Sequence, residues 1–206
     1  DSNVLTTTML AGISQYDADE IAKRCPDLDF VSIQAYGALA SIPEIVRESG
    51  YNGAYLITEW GPTGHWEMPL TPWQAPIEET STEKAKVYFE RYRDGIARDS
   101  VQCMGSYAFF WGQKKERTPT WYGLFTEDGE LTSVADELAK HWTGKYPVNQ
   151  APSLDSMRLD GKDRFDGIYL NANATYNAVI YASDPDKDVL SYKYELLAES
   201  TDLQDG

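Results

Sequence analysis

Gly53-Ala54-Tyr55-Leu56-Ile57-Thr58-Glu59-Trp60-Gly61-Pro62 is an apolar run that ends in a carboxylate, an indole and a Gly-Pro breaker. By the two-residue period of a strand, Tyr55, Ile57 and Glu59 share one face and Ala54, Leu56 and Thr58 the other, so the run is wettable only at its C-terminal end. Gly61-Pro62 stops it there. A carboxylate at the C-terminal tip of a parallel strand, followed by a long loop, is where α/β barrels place catalytic groups, because the strand fixes the side chain and the loops shape the pocket. Read without its neighbours, Glu59 equally fits a helix cap or the partner of a surface cation.

The same strand-then-helix unit recurs on both sides of this run. Val4 to Leu10 reads as a strand ending at Ala11-Gly12, and Asp17-x-x-Glu20 as the cap of a helix. Asp29 to Gly37 is a second strand, followed by a helix capped at Ser41-x-x-Glu44. The Glu59 strand is the third; its helix opens at Thr80-x-x-Glu83 with Ala85, Tyr88, Phe89, Tyr92 and Ile96 on one stripe. Cys103 to Trp111 is the fourth strand, and Val134, Ala135, Leu138 and Trp142 form the stripe of the helix after Thr132. Four such units require right-handed crossovers and a parallel sheet. Long loops at Gly61 to Glu79 and Gly112 to Gly129, and the lack of any Gly-rich phosphate loop, favour part of a barrel over an open nucleotide-binding sheet. A whole barrel takes about 250 residues, so residues 1–145 are expected to hold half of one, strands five to eight.

After a linker at 146–152, which contains Pro147 and Pro152, the composition changes. Met157 to Leu159, Gly167 to Leu170, Tyr176 to Ala182 and Leu190 to Leu197 are short strand candidates between Asp- and Gly-rich turns, so 153–206 reads as a truncated all-β, sandwich-like tail. The fold class expected is therefore α/β, the C-terminal half of a (β/α)8 barrel with that tail. A chain opening at Asp1 and closing at Gly206 in mid-domain is expected to be a fragment.

The balance of 33 acidic to 18 basic residues, a formal net charge of -15, argues against nucleic acid or an anionic membrane surface as partner. Six Trp and fourteen Tyr, several of them in polar loops, suggest stacking surfaces. No apolar run is long enough to span a bilayer. Cys25 and Cys103 lack metal-type spacing and read as buried thiols; neither His65 nor His141 has a second ligand at metal spacing, so no metal or other cofactor is expected, and His141 reads as surface. Asp184-x-Asp186-x-Asp188 fits either a calcium loop or a hairpin turn. Asn173-Ala174-Thr175 is a glycosylation sequon.

With Thr58-Glu59-Trp60-Gly61 on the third strand and Ser106-Tyr107-Ala108-Phe109-Phe110-Trp111 on the fourth, residues 1–145 resemble the C-terminal half of a retaining glycoside hydrolase barrel of clan A, the family 2 and family 5 type. Trp121 to Glu130 also resembles the segment before the last barrel helix in that clan. The resemblance implies that Glu59 is the nucleophile, that Tyr36 hydrogen-bonds it, and that Trp111 floors the subsite of the attacked sugar. It implies an oligosaccharide or polysaccharide substrate and a secreted, periplasmic or cell-surface setting. The clan's acid/base Glu belongs to a strand that nothing in this chain matches. The tail resembles an Ig-like or cadherin-like module of the kind appended to secreted bacterial proteins.

Trp60, His65, Trp66, Trp73 and Gln113 follow the two strand tips and are candidate sugar contacts, or else residues that pin their own loops. If the chain completes its own site, the second carboxylate is expected at Glu67 or Glu116. Other readings stay open: a transglycosylase using the same residues, or a non-catalytic carbohydrate-binding or surface-attachment protein. Open strand edges predict self-association of the fragment.

Overall fold

The computed structural model describes residues 4–199. These divide into two bodies, a sheet body (residues up to Gly61, with Phe89–Phe109) and a loop body (Pro62–Tyr88, with the residues from Phe110 onward).

The sheet body holds strands β1 (Thr7–Ala11), β2 (Phe30–Gln34), β3 (Tyr55–Trp60) and β4 (Cys103–Ala108). They form one sheet, all parallel, in the order β1-β2-β3-β4. The strand order follows the chain without reversal, so the sheet has no topological switch point of the kind that doubly wound folds use to bind ligands. Val31, Ile33, Tyr55 and Ile57 are fully buried and make the core with Leu39, Ile42, Val46 and Ile96 from the helices. Thr7 and Ser32, on adjacent strands, share a hydroxyl–hydroxyl bond of 2.9 Å.

Helix α1 (Gln15–Arg24) is capped by Ser14, one turn before the expected Asp17-x-x-Glu20 box. Asp17 supplies the reciprocal half, its carboxylate accepting from the Ser14 N–H at 2.9 Å. A 3₁₀ turn (Leu39–Ser41) leads into the short α2 (Ile42–Glu48), and Ser41 makes no side-chain cap. Helix α3 (Ser81–Arg91) has the expected Thr80/Glu83 box, with Thr80 N–H to Glu83 at 2.7 Å and Glu83 N–H to Thr80 at 3.2 Å.

Beyond Arg91 the chain continues as a π-helix (Tyr92–Ala97). A Cβ on Gly95 would stand 2.4 Å from the Leu39 carbonyl oxygen, so only glycine permits this approach of helix to turn. On the predicted stripe Tyr88 and Ile96 are buried, but Phe89 is exposed and Lys84 and Arg91 are buried instead.

The N-terminal ends of β3 and β4 are closed by polar bonds. Tyr55 Oη donates to Asp99 Oδ2 at 3.0 Å, and Arg47 Nη1 reaches the same oxygen at 3.4 Å. Burial raises the pKa of both the Tyr55 phenol and the half-buried Cys103 thiol. Cys25 is exposed, contrary to expectation, because it is the C-cap of α1 and not a core position.

In the loop body, α4 (Ser133–Thr143) buries Val134, Asp136 and Leu138 while Trp142 is exposed. Burial pushes the Asp136 carboxyl up, against the bond it accepts from Ala151 N–H at 2.6 Å. His141 is not a surface residue: its side chain is 11% exposed, and burial lowers its pKa against the pull of Glu137. After Pro152 come β5 (Ser153–Leu159) and β6 (Ala178–Ser183), an antiparallel pair.

Gly167 to Leu170 and Leu190 to Leu197 are not strands, so among the described residues the tail has one two-stranded sheet in place of two stacked sheets. Those segments have strand-like composition but no neighbour to pair with, and pairing is what makes a strand. The tail is tied to the start of α3 by Leu154 N–H on Thr82 Oγ1 at 2.7 Å and by a two-pronged Arg164–Glu83 pair at 2.7 Å. No helix among the described residues is long and apolar enough to cross a membrane.

Candidate functional site

Strict alternation would put Glu59 on the buried face with Tyr55 and Ile57. The pairing of β2 with β3 shifts at this point: Ile33 opposes Ile57, and the next pair is Gln34 with Glu59, which leaves Thr58 out of the ladder. A register shift of this kind re-aims a side chain at a strand end. The half-buried Glu59 carboxylate consequently receives two donors, Tyr36 Oη to Oε1 at 2.8 Å and Gln34 Nε2 to Oε2 at 3.2 Å.

Backbone bonds hold this geometry at both levels. Ala35 N–H donates to the Glu59 carbonyl at 3.0 Å, and Gly12 N–H donates to the Gln34 carbonyl at 3.0 Å. Each carboxylate oxygen thus has one fixed donor and lone-pair capacity left over, which orients the group without neutralising its charge. Tyr36 was expected on Glu59; Gln34 was not. Gln34 is a polar residue at the end of β2, and its place opposite Glu59 comes from the register shift between the two strands.

Trp60, a candidate sugar contact, is fully buried in the sheet body with its ring 6.1 Å from that of Tyr92. As placed, this indole is core: the register shifts beyond Ile57 against both neighbouring strands, and Trp60 takes the buried place that strict alternation would give to Glu59.

The remaining candidates belong to the loop body. Trp111 lies three residues beyond the end of β4, is 67% exposed, and meets Phe125 edge-on at 5.0 Å. Trp66 is also exposed. His65 is buried: its ring stands edge-on to Trp66 at 4.9 Å and to Trp121 at 6.0 Å, with Nε2 3.5 Å from the buried carboxylate of Glu116. Lys114 Nζ reaches the other oxygen of Glu116 at 2.7 Å. Glu67 is exposed and accepts from Gly64 N–H at 2.9 Å.

Gln113 donates from Nε2 to the Pro119 carbonyl at 3.3 Å, a bond that braces its own loop. Trp73 sits on a rigid turn, with Thr71 N–H bonded to Ala75 O at 2.8 Å and Ile77 N–H to Pro69 O at 2.9 Å, and its ring meets Tyr169 edge-on at 5.4 Å.

In the acidic run of the tail, Asp184 Oδ1 accepts the N–H groups of Asp186 at 2.8 Å and Asp188 at 3.0 Å, an Asx turn that closes β6. Among the described residues no strand follows to make it a hairpin. Among the described residues no group of three His, Cys, Asp or Glu side chains is disposed to hold a metal ion.

No family model matches the chain, and no curated relative matches it in sequence. Among solved structures it is similar to a β-glucuronidase of Ruminococcus gnavus, at 15% identity over 68% of this chain and 25% of that one, with a TM-score of 0.45. It is also similar to a GH39 β-xylosidase of Caulobacter crescentus, at 15% identity over 71% of this chain and 34% of that one, with a TM-score of 0.47. The chain therefore spans a quarter to a third of the length of these two glycosidases. At such values the likeness concerns chain path alone and assigns no residue.

Proposed function

We propose that the chain carries the nucleophile side of a retaining glycoside hydrolase, its four parallel strands being strands five to eight of a (β/α)8 barrel. The observation that supports this best is the pair of neutral donors on Glu59, Tyr36 at 2.8 Å and Gln34 at 3.2 Å, at the C-terminal end of a parallel strand.

In a retaining hydrolysis an ionised carboxylate attacks the anomeric carbon while the bond to the leaving oxygen breaks through an oxocarbenium-like transition state. Glu59 supplies the attacking oxygen, its carboxylate held by neutral donors opposite the developing positive centre. Tyr36 and Gln34 position it, and their bonds weaken as the carboxylate becomes the ester of the glycosyl intermediate. Water then breaks that ester, returning the sugar with its original configuration. The second carboxyl of such a site, which protonates the leaving oxygen and later activates the water, lies about 5 Å from the first. We assign it to no residue of this chain. Trp111 is proposed as a sugar-stacking indole, and secretion or a cell-surface location follows from a polysaccharide substrate.

The test is replacement and rescue in the full-length protein. Glu59→Ala should stop turnover of aryl glycosides, and added azide should restore it by attacking from the vacated side, giving a glycosyl azide of inverted anomeric configuration. Unchanged turnover in Glu59→Ala, or rescue without glycosyl azide, would exclude Glu59 as nucleophile. The exposed Trp66 and Trp111 favour a second reading, a non-catalytic carbohydrate-binding protein, in which sugar binds and no variant or rescue produces turnover.

A further inference from the structure

The loop body contains a cavity of about 550 Å³. Its walls come from the first turn of α3, the loop after β4, the start of α4, and β5 with the segment that follows it. This lies within the range of small-molecule sites, roughly 300–1,000 Å³.

The wall chemistry narrows the occupant. Lys84, on α3, is 5% exposed; its Nζ is paired with Glu78 and donates to the Thr120 carbonyl at 2.7 Å. An ammonium has three N–H donors, and these two partners use two of them. Burial pulls the Lys84 pKa down while Glu78 opposes the fall.

Other groups on the wall are free to bond a guest. The hydroxyls of Ser81 and Ser156 and the carboxylates of Glu79 and Asp155 make no hydrogen bond among the described residues, while the charge of Glu79 acts on Lys84 and Arg164. Asp155 sits where the β5–β6 register shifts between Leu154 and Ser156, a bulge in the cavity wall. Phe165 contributes a half-exposed ring, over which Arg164 lies at 4.9 Å.

Five carboxylates and three basic side chains line the cavity, with six hydroxyl-bearing ones. An anionic guest would meet an excess of like charge. A guest rich in hydroxyls can donate to Glu79 and Asp155, accept from Lys84, and exchange bonds with the serines, while its C–H faces lie on the apolar wall.

We propose that this cavity is a binding site for an uncharged polyhydroxylated ligand, an oligosaccharide segment, held by the loop body independently of Glu59. The readout is binding and not turnover, so the proposal stands or falls separately from the hydrolase reading.

Isothermal titration of the purified chain with neutral trisaccharides of glucose, xylose, mannose and galactose, alongside trigalacturonate and triglucosamine, tests it. At least one neutral trisaccharide should bind. Ser156→Trp, which fills the cavity, should weaken that binding by about tenfold or more. The double change Glu79→Gln with Asp155→Asn removes charge from the two free acceptors without changing their shape, and should weaken it as well. It keeps the test decisive if the tryptophan variant does not fold. The proposal is overturned if no neutral trisaccharide binds, if triglucosamine or trigalacturonate binds more tightly than all of them, or if the folded variants bind as the parent does.

Discussion

At the tips of β2 and β3 a carboxylate is held by neutral groups; in the loop body three carboxylates are matched by cations. Glu59 takes its bonds from a phenol and an amide. Glu78 is paired with Lys84, Glu83 with Arg164, and Glu116 with Lys114. A neutral donor fixes a carboxylate's direction and leaves its charge available, whereas a cation of the protein satisfies the charge and turns the pair into a packing element. The two regions use the same side chain for different ends, and the partner tells which. A carboxylate prepared to meet a positive centre in a transition state should be the one without a cation of its own.

That contrast predicts opposite consequences for removing members of the two sets. Glu59→Gln should cut turnover of the full-length protein on the order of 10⁴-fold or more while leaving urea unfolding close to that of the parent. A large stability loss with residual turnover would place Glu59 in the structural set. Conversely, Lys84→Ala should destabilise the chain by about 3–5 kcal/mol, because it strands a partly buried Glu78, and Lys84→Met with Glu78→Gln should recover most of that loss. If chemical denaturation shows the single variant to be harmless, the buried pair does not hold the loop body as argued.

Tyr36→Phe removes the bond that aims one Glu59 oxygen, and the lost positioning should slow turnover roughly 10–100-fold with little effect on substrate affinity. A rise in KM at constant kcat would instead make Tyr36 a substrate contact.

The smallest effect belongs to Arg164→Ala. Its pair with Glu83 is partly exposed and should contribute no more than about 1 kcal/mol. Hydrogen bonds from Arg164 hold the Glu83 carboxyl below the usual range. A depressed folded-state pKa stabilises the fold above the unfolded-state value and loses that contribution as pH falls through the folded one. Thermal melts from pH 7 down to pH 3 should show the parent losing its margin over Arg164→Ala below about pH 4.5. A margin that grows toward acid would contradict the assigned pair.

The parallel sheet was legible because its signal is local and repeated: each strand is a short apolar run, and each is followed by a helical stripe. Tyr36 was legible only through resemblance. Gln34 was hidden by the register shift that sets it opposite Glu59, since a shift between two strands leaves no mark on either alone. The cap of α1 was misread by one turn because Asp17 fits both the first and the fourth position of a capping box, and the structure uses it in the fourth. The π-helical turn depends on Gly95 meeting Leu39, a contact between residues more than fifty positions apart. In the tail, Leu190 to Leu197 carries strand-like residues that pair with no strand among the described residues, and propensity does not supply a partner.

The central claim is that Glu59 forms a covalent bond to the sugar, and trapping that bond tests it most directly. The full-length protein would be incubated with 2-deoxy-2-fluoroglycosyl fluorides of gluco, galacto, xylo, manno and glucurono configuration. Their fluoride leaving group needs no acid, and their 2-fluorine slows release of the intermediate. Intact-protein mass spectrometry followed by peptide mapping should find one sugar per chain, attached through an ester at Glu59 and absent from Glu59→Gln. A label on another carboxylate, or steady hydrolysis of the activated sugar with Glu59 unlabelled, would contradict the account.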